Sequence, residues 1–126
     1  MTLLFRGSNG VPLTSALLSH PGSWEDIKFA IEFVSQKYVR DPVSKEKRTR
    51  YYAYGCSMGA TMLGAYLINS SDSAEKELDG AVLYGTPWDF HKGENYFYNS
   101  AWGFPAYAVA MNLCRVTRAT TLPQLK

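Results

Sequence analysis

The sequence predicts an α/β fold in which buried-type strands alternate with helices, and three observations predict it. Two short apolar and aromatic runs, Tyr51-Tyr52-Ala53-Tyr54 and Gly80-Ala81-Val82-Leu83-Tyr84-Gly85, have strand character and follow charged or polar stretches. Between them Met58, Met62, Leu63, Tyr66 and Leu67 recur at helical spacing, with Ala60, Gly64 and Ala65 as small packing residues. Upstream, Ile27, Ala30, Ile31, Val34 and Tyr38 fall on one face of a second helix.

Taken in order, residues 2–5 are a short apolar run that reads as a first core strand starting abruptly. Residues 6–13 are dense in turn formers and read as a loop. Ser23 is a credible N-cap, with Asp26 three residues on in a box-like start. The amphipathic helix then runs from Trp24 to about Val39, where Asp41-Pro42 ends it, and the charged stretch to Arg50 is an exposed connection. The second strand covers residues 51–56 and the central helix follows at once. Residues 69–79 are polar and read as a loop whose Asp79-Gly80 turn leads into a third strand at residues 81–84. Thr86-Pro87-Trp88-Asp89 terminates that strand. The following stretch holds Trp88, Phe90, Tyr96, Phe97, Tyr98, Trp102, Phe104 and Tyr107. It reads as core and lid packing, or as an apolar wall shaped for acyl chains, and both can hold together. Pro105 fits the first turn of a helix running to about Cys114, and the tail over residues 116–126 is expected to fray.

Length and composition bound the chemistry. At 126 residues the chain is at most one domain, and 46% hydrophobic with 19% charged residues reads as globular rather than disordered. The formal charge is only +2, and the cluster of Lys45, Lys47, Arg48 and Arg50 is interrupted by Glu46 without aromatic interleaving. That is a solvated loop, so no nucleic-acid partner is expected. Cys56 and Cys114 form neither a metal-ligand spacing nor a disulfide framework, which suits a cytoplasmic or membrane-surface setting facing the cytosol. No run of about 18 apolar residues is present, and residues 1–5 are too short for a signal peptide before Arg6 and Gly7 break them.

The stretch that carries chemistry is Gly55-Cys56-Ser57-Met58-Gly59, a match to G-x-S-x-G, the nucleophile elbow of hydrolases built on a parallel sheet. A strand ends, the chain reverses within about one residue, and a helix begins, which holds the serine in a strained conformation. Side chains two before and two after would collide, so glycine fills positions 55 and 59. The helix amides behind the serine favour developing negative charge. The bare pattern occurs by chance in roughly 4% of chains this long, so its position between a strand and a helix carries the weight. Ser57 is therefore the candidate nucleophile, with simple capping of the helix as its bland reading. Cys56 is expected to point away from it into the sheet–helix packing.

Four separated segments resemble, in order and spacing, the middle of the AB hydrolase 4 family of alpha/beta-hydrolase-fold esterases and acylglycerol lipases. They are Arg6-Gly7 with Gly10-Val11-Pro12-Leu13-Thr14, then Trp24-Glu25-Asp26-Ile27, then Tyr54 through Gly59, then Gly80-Ala81-Val82 through Pro87-Trp88-Asp89. The resemblance weakens beyond Asp89. It implies a partial alpha/beta-hydrolase fold with three parallel strands, crossover helices and an incomplete sheet. The chain would then be an internal fragment of one such domain, with a core over about residues 1–89 and a lid-like segment over about 90–115. It implies Ser57 as nucleophile of a Ser-Asp-His triad and the backbone N–H of Met58 as an oxyanion donor. Neither acid nor base carries over. Asp89 sits where a few alpha/beta hydrolases place the acid, His91 follows the serine early for a base, and His20 precedes it. The implied activity is hydrolysis of carboxylic esters, with acylglycerols favoured and a small-molecule ester or lipid as substrate, without metal or organic cofactor. The competing reading is a truncated or inactive homologue that binds lipid or a partner.

Overall fold

A computed structural model describes residues 1–6, 19–100 and 102–121. These divide into two compact units, one of residues 20–87 and one of residues 1–19 with 88–126. The predicted loop over residues 7–13 and the last five residues of the predicted tail lie outside the described residues.

The unit of residues 20–87 is a two-stranded parallel sheet with helices packed on it. Its order is α1 (Trp24–Val34), β1 (Tyr52–Cys56), α2 (Met58–Asn69), α3 (Ser71–Glu77) and β2 (Gly80–Tyr84). β1 and β2 pair with Tyr52 beside Gly80, Tyr54 beside Val82 and Cys56 beside Tyr84. Asp79 fixes where the ladder begins: its Oδ2 accepts the Tyr51 N–H at 2.7 Å and the Lys47 ammonium at 3.2 Å. The Asp79 N–H in turn donates to the Tyr51 carbonyl at 2.8 Å. The Tyr51 amide, with help from Lys47, holds the Asp79 carboxyl below its ordinary value.

α2 is the core helix. Ala60, Met62, Leu63 and Tyr66 are buried, each of the three large side chains being worth about 2 kcal/mol of removal from water. It packs against both strands, α1 and α3. Tyr66 is buried with its polar tip satisfied, its hydroxyl lying 3.2 Å from Ser73 Oγ, which donates to Glu32 Oε1 on α1 at 2.8 Å.

α1 presents Ile27 and Ile31 to the core as predicted, but Ser23 does not cap it. The Ser23 hydroxyl is taken by the His20 N–H at 3.1 Å, within the turn that precedes the helix. The last stretch, Ser35–Val39, is a π-helical turn in which the Arg40 N–H reaches back five residues to the Ser35 carbonyl. A π turn advances the inward position by one residue. Val39 is therefore buried and Tyr38 exposed, the reverse of what an uninterrupted 3.6-residue period predicts.

The polar stretch read as a loop over residues 69–79 contains α3. Ala74 and the following Leu78 are buried, and so is Glu77. Glu77 Oε2 accepts a short hydrogen bond from Ser35 Oγ and pairs with the Arg40 guanidinium at 3.1 Å. Arg40 also donates to the carbonyls of Lys45 and Lys76. Asp41 organises the connection after it by accepting the N–H groups of Val43 and Ser44. These amides, with Arg48, hold the Asp41 carboxyl low.

The first strand expected, at residues 2–5, is absent, so the described residues hold two parallel strands rather than three. Residues 1–5 take part in no ladder, and Leu3 and Leu4 are about half exposed. A strand exists only where a ladder forms, and a short run such as residues 2–5 does not by itself provide one. In the same unit, α4 (Phe90–Asn99) and α5 (Gly103–Thr121) form a helical hairpin, with Tyr98 and Tyr107 rings 4.8 Å apart and tilted by 44°. Pro105 sits in the first turn of α5, and the helix continues past Cys114 through Thr121, where fraying is predicted. No residue between Val116 and Thr121 breaks a helix. No helix among the described residues is long and apolar enough to cross a membrane.

Arg40 and Glu77 are mostly buried, whereas Arg48, paired with Asp41, is 59% exposed. Arg40→Ala strands a buried carboxylate and is expected to cost about 3 kcal/mol, whereas Arg48→Ala costs below about 1 kcal/mol. Urea titrations of the two variants measure the difference, and equal losses would contradict it. Among the described residues each strand is paired on one side only, and Tyr52, Tyr54, Val82 and Tyr84 are exposed. Open edges and apolar faces associate, so light scattering on the isolated chain is expected to report self-association at micromolar concentration. A monodisperse, cooperatively melting monomer would overturn that expectation.

Candidate active site

Ser57 stands between the last residue of β1 and the first of α2, with φ 52° and ψ −123°. Apart from Lys45, it is the one non-glycine residue at positive φ among the described residues. A serine there costs roughly 1–3 kcal/mol of backbone strain and persists because both neighbours are held. On the strand side its N–H donates to the Tyr84 carbonyl at 3.0 Å, which continues the β1–β2 ladder by one rung. On the helix side its carbonyl accepts from Ala60 N at 2.9 Å and Thr61 N at 3.1 Å.

The glycine before it is required by contact. A Cβ built on Gly55 would lie 2.7 Å from both Ala60 Cα and the Gly59 carbonyl oxygen. Both are backbone atoms, so neither can rotate away. The turn closes because position 55 carries no side chain.

Ser57 is exposed, and its hydroxyl makes no capping bond to α2, so the bland reading of the serine as a helix cap does not hold. The N–H groups of Met58 and Gly59 have no hydrogen-bond partner among the described residues and belong to the unsatisfied donors of a helix start. Gly55, Ser57, Met58 and Gly59 all lie at this strand-to-helix turn. The hydroxyl thus stands without a capping bond at the positive end of a helix dipole, where negative charge is favoured.

Cys56 differs from expectation. It is exposed rather than packed under α2, because Gly55 faces the helix and its neighbour on a strand faces the other way. Tyr52, Tyr54, Val82 and Tyr84 share that outer side by the parallel register.

The other candidates have local roles. His20 Nδ1 accepts the Gly22 N–H at 3.1 Å in the turn before α1. Asp89 is the N-cap of α4, with its Oδ1 accepting from Lys92 N at 2.9 Å and its Oδ2 3.5 Å from the Lys92 ammonium. His91 is an exposed residue of the first turn of that helix. Asp89 and His91 belong to the unit that holds α4 and α5. Sequence reasoning missed the Tyr84 carbonyl as the anchor of Ser57, although pairing the second buried run beside β1 in parallel register would have placed it. A cleft of about 330 Å³ lined by Gln36, Arg40, Lys45, Lys76 and Glu77 includes no elbow residue. Among the described residues no group of three or more His, Cys, Asp or Glu side chains is placed to hold a metal.

Comparison of the chain with family models, with curated proteins and with solved structures finds no match in any of the three.

The strain at Ser57 is measurable apart from any activity. Ser57→Gly relieves it and Ser57→Ala does not, so the glycine variant is expected to be the more stable of the two by about 1–2 kcal/mol in urea. At an ordinary helix cap glycine loses only a few tenths of a kcal/mol relative to serine and alanine about one. The diagnostic outcome is therefore Ser57→Gly exceeding the unsubstituted chain. Gly55→Ala is expected to lose about 3 kcal/mol or fail to fold.

Proposed function

We propose that Ser57 is the nucleophile of a serine hydrolase acting on carboxylic esters, with acylglycerols the favoured substrates. The observation that carries this reading is the conformation of Ser57: a strained, left-handed serine with a hydroxyl that makes no capping bond, at a strand-to-helix turn. Ordinary helix caps need neither the strain nor the glycine at position 55. The ordered resemblance of four segments to the AB hydrolase 4 family supports the choice of ester over other acyl substrates.

In the proposed reaction Ser57 Oγ adds to the ester carbonyl while its proton passes to a general base. The N–H of Met58 holds the oxygen that becomes negative. The carbon–oxygen bond to the alcohol then breaks, the alcohol takes the proton, and Ser57 is left acylated. Water repeats the sequence on the acyl-enzyme and releases the carboxylic acid. Asp89 has both oxygens engaged at the start of α4, which argues against it as the acid of the triad.

Without a base positioned by such an acid, Ser57 reacts slowly. The 126-residue chain is expected to be labelled by a fluorophosphonate probe at least about 10³-fold more slowly than serine hydrolases with intact triads, with the label on Ser57. Labelling that survives Ser57→Ala would remove Ser57 from the reading. Rapid labelling lost on His91→Ala would make His91 the base.

A further inference from the structure

We infer that Gly85 is a positioning residue for Ser57: its left-handed backbone at the end of β2 keeps the Tyr84 carbonyl on the Ser57 amide. The inference deepens the reading of Ser57 as nucleophile and rests on it for reactivity, while the geometry stands apart from any activity.

The last rung of the sheet pairs Cys56 with Tyr84, so Ser57 and Gly85 are the next residue on each strand. Both are left-handed, Ser57 with φ 52° and Gly85 with φ 61°. One hydrogen bond links the two turns, from the Ser57 N–H to the Tyr84 carbonyl at 3.0 Å. That carbonyl belongs to the planar peptide unit between Tyr84 and Gly85, and φ at Gly85 sets how the chain leaves the plane. The chain therefore bends at Gly85 while the carbonyl keeps the direction of the ladder.

The glycine serves the backbone and not a close contact. A Cβ built on Gly85 would meet no atom within 4 Å, whereas one on Gly55 would lie 2.7 Å from backbone. A methyl group at position 85 thus acts through φ alone. To leave the left-handed region, an L-residue there must turn the peptide plane on one side of it. The downstream side resists. Thr86 is half-buried with its Oγ1 enclosed, and as the residue before Pro87 it is confined to extended conformations. Pro87 itself has a fixed φ. The upstream plane turns instead and carries the Tyr84 carbonyl off the Ser57 amide. Ser57 then loses its hold on the strand side, and nothing there enforces the strained conformation. Gly55 gives the elbow room, and Gly85 on the neighbouring strand gives it direction.

The test compares Gly85→Ala with Gly85→Asn in the full chain. Alanine disfavours positive φ, whereas asparagine tolerates it and is the conservative variant. Amide hydrogen exchange of Ser57, read against the amides of β1, is the first measurement. Gly85→Ala is expected to speed it at least about tenfold, as loss of one amide hydrogen bond does. Gly85→Asn is expected to return it to within about threefold of the unsubstituted chain. Fluorophosphonate labelling of Ser57 is the second measurement, expected to slow at least about tenfold in Gly85→Ala and to recover in Gly85→Asn. Ser57 exchange that Gly85→Ala leaves unchanged overturns the inference. So does equal acceleration in both variants, which would make the missing side chain the reason for glycine. Acceleration spread evenly over β1 also overturns it, since Gly85 would then only stabilise the sheet, and so does Ser57 labelling that keeps its rate in Gly85→Ala. Accelerated Ser57 exchange with labelling indifferent to Ser57→Ala supports the hold of Gly85 on Ser57 and removes the nucleophile reading instead.

Discussion

The left-handed backbone of Ser57 is a local cost that neither β1 nor α2 could impose alone. β1 is held in register at both ends, by Asp79 against Tyr51 at its start and by the Tyr84 carbonyl against the Ser57 amide at its finish. α2 is held by burial, with Met62 and Tyr66 fully enclosed and Ala60 without exposed surface. Two rigidly placed elements one residue apart leave that residue a single conformation. The roughly 1–3 kcal/mol of strain is small against the burial of α2, so the turn keeps its shape without help from the serine hydroxyl. That is why the hydroxyl remains available.

The Glu77–Arg40–Ser35 cluster does a comparable job at the far end of α1. Replacing a buried ion pair by apolar residues is often neutral, so such a pair is weak evidence for stability gained. What this one supplies is location. Arg40 reaches carbonyls of Lys45 and Lys76 besides the Glu77 carboxylate, which ties the connection after α1 and the end of α3 to one guanidinium. The π turn at Ser35–Val39 puts Ser35 under Glu77 and Val39 into the core at the same time. A regular helix would send Tyr38 inward instead.

What was legible in the sequence was local. The elbow could be read because its pattern falls within five consecutive residues, and the faces of α2 and most of α1 because their period is unbroken. The π turn could not be read, since nothing in Ser35-Gln36-Lys37-Tyr38-Val39 marks it apart from the distant Glu77 and Arg40 contacts. α3 was hidden by composition: Ser71-Asp72-Ser73 resembles a loop, and burial of Ala74 and Glu77 by tertiary contacts decides the matter. α4 was hidden by its aromatic residues, whose helix propensity is low, although Asp89 three residues before Lys92 offered a cap. The strand expected at residues 2–5 failed for the opposite reason, because strand character is a statement about a partner that the run itself does not contain.

The outer face of the sheet shows how far one contact reaches. Gly55 must face α2, since the Gly59 carbonyl and Ala60 Cα stand where its side chain would be. Alternation along a strand then sends Tyr52, Tyr54 and Cys56 to the opposite side. Parallel register places Val82 beside Tyr54 and Tyr84 beside Cys56 on that same side. The exposure of the Cys56 thiol is thus a consequence of parity, fixed by the glycine one residue away, and the same parity was available from the sequence once Gly55 was assigned to the helix side. Tyrosine suits this position better than phenylalanine would, because its ring packs across strands while its hydroxyl keeps contact with water. The close approach that frees the serine on one side of β1 therefore also determines which aromatic residues the other side presents.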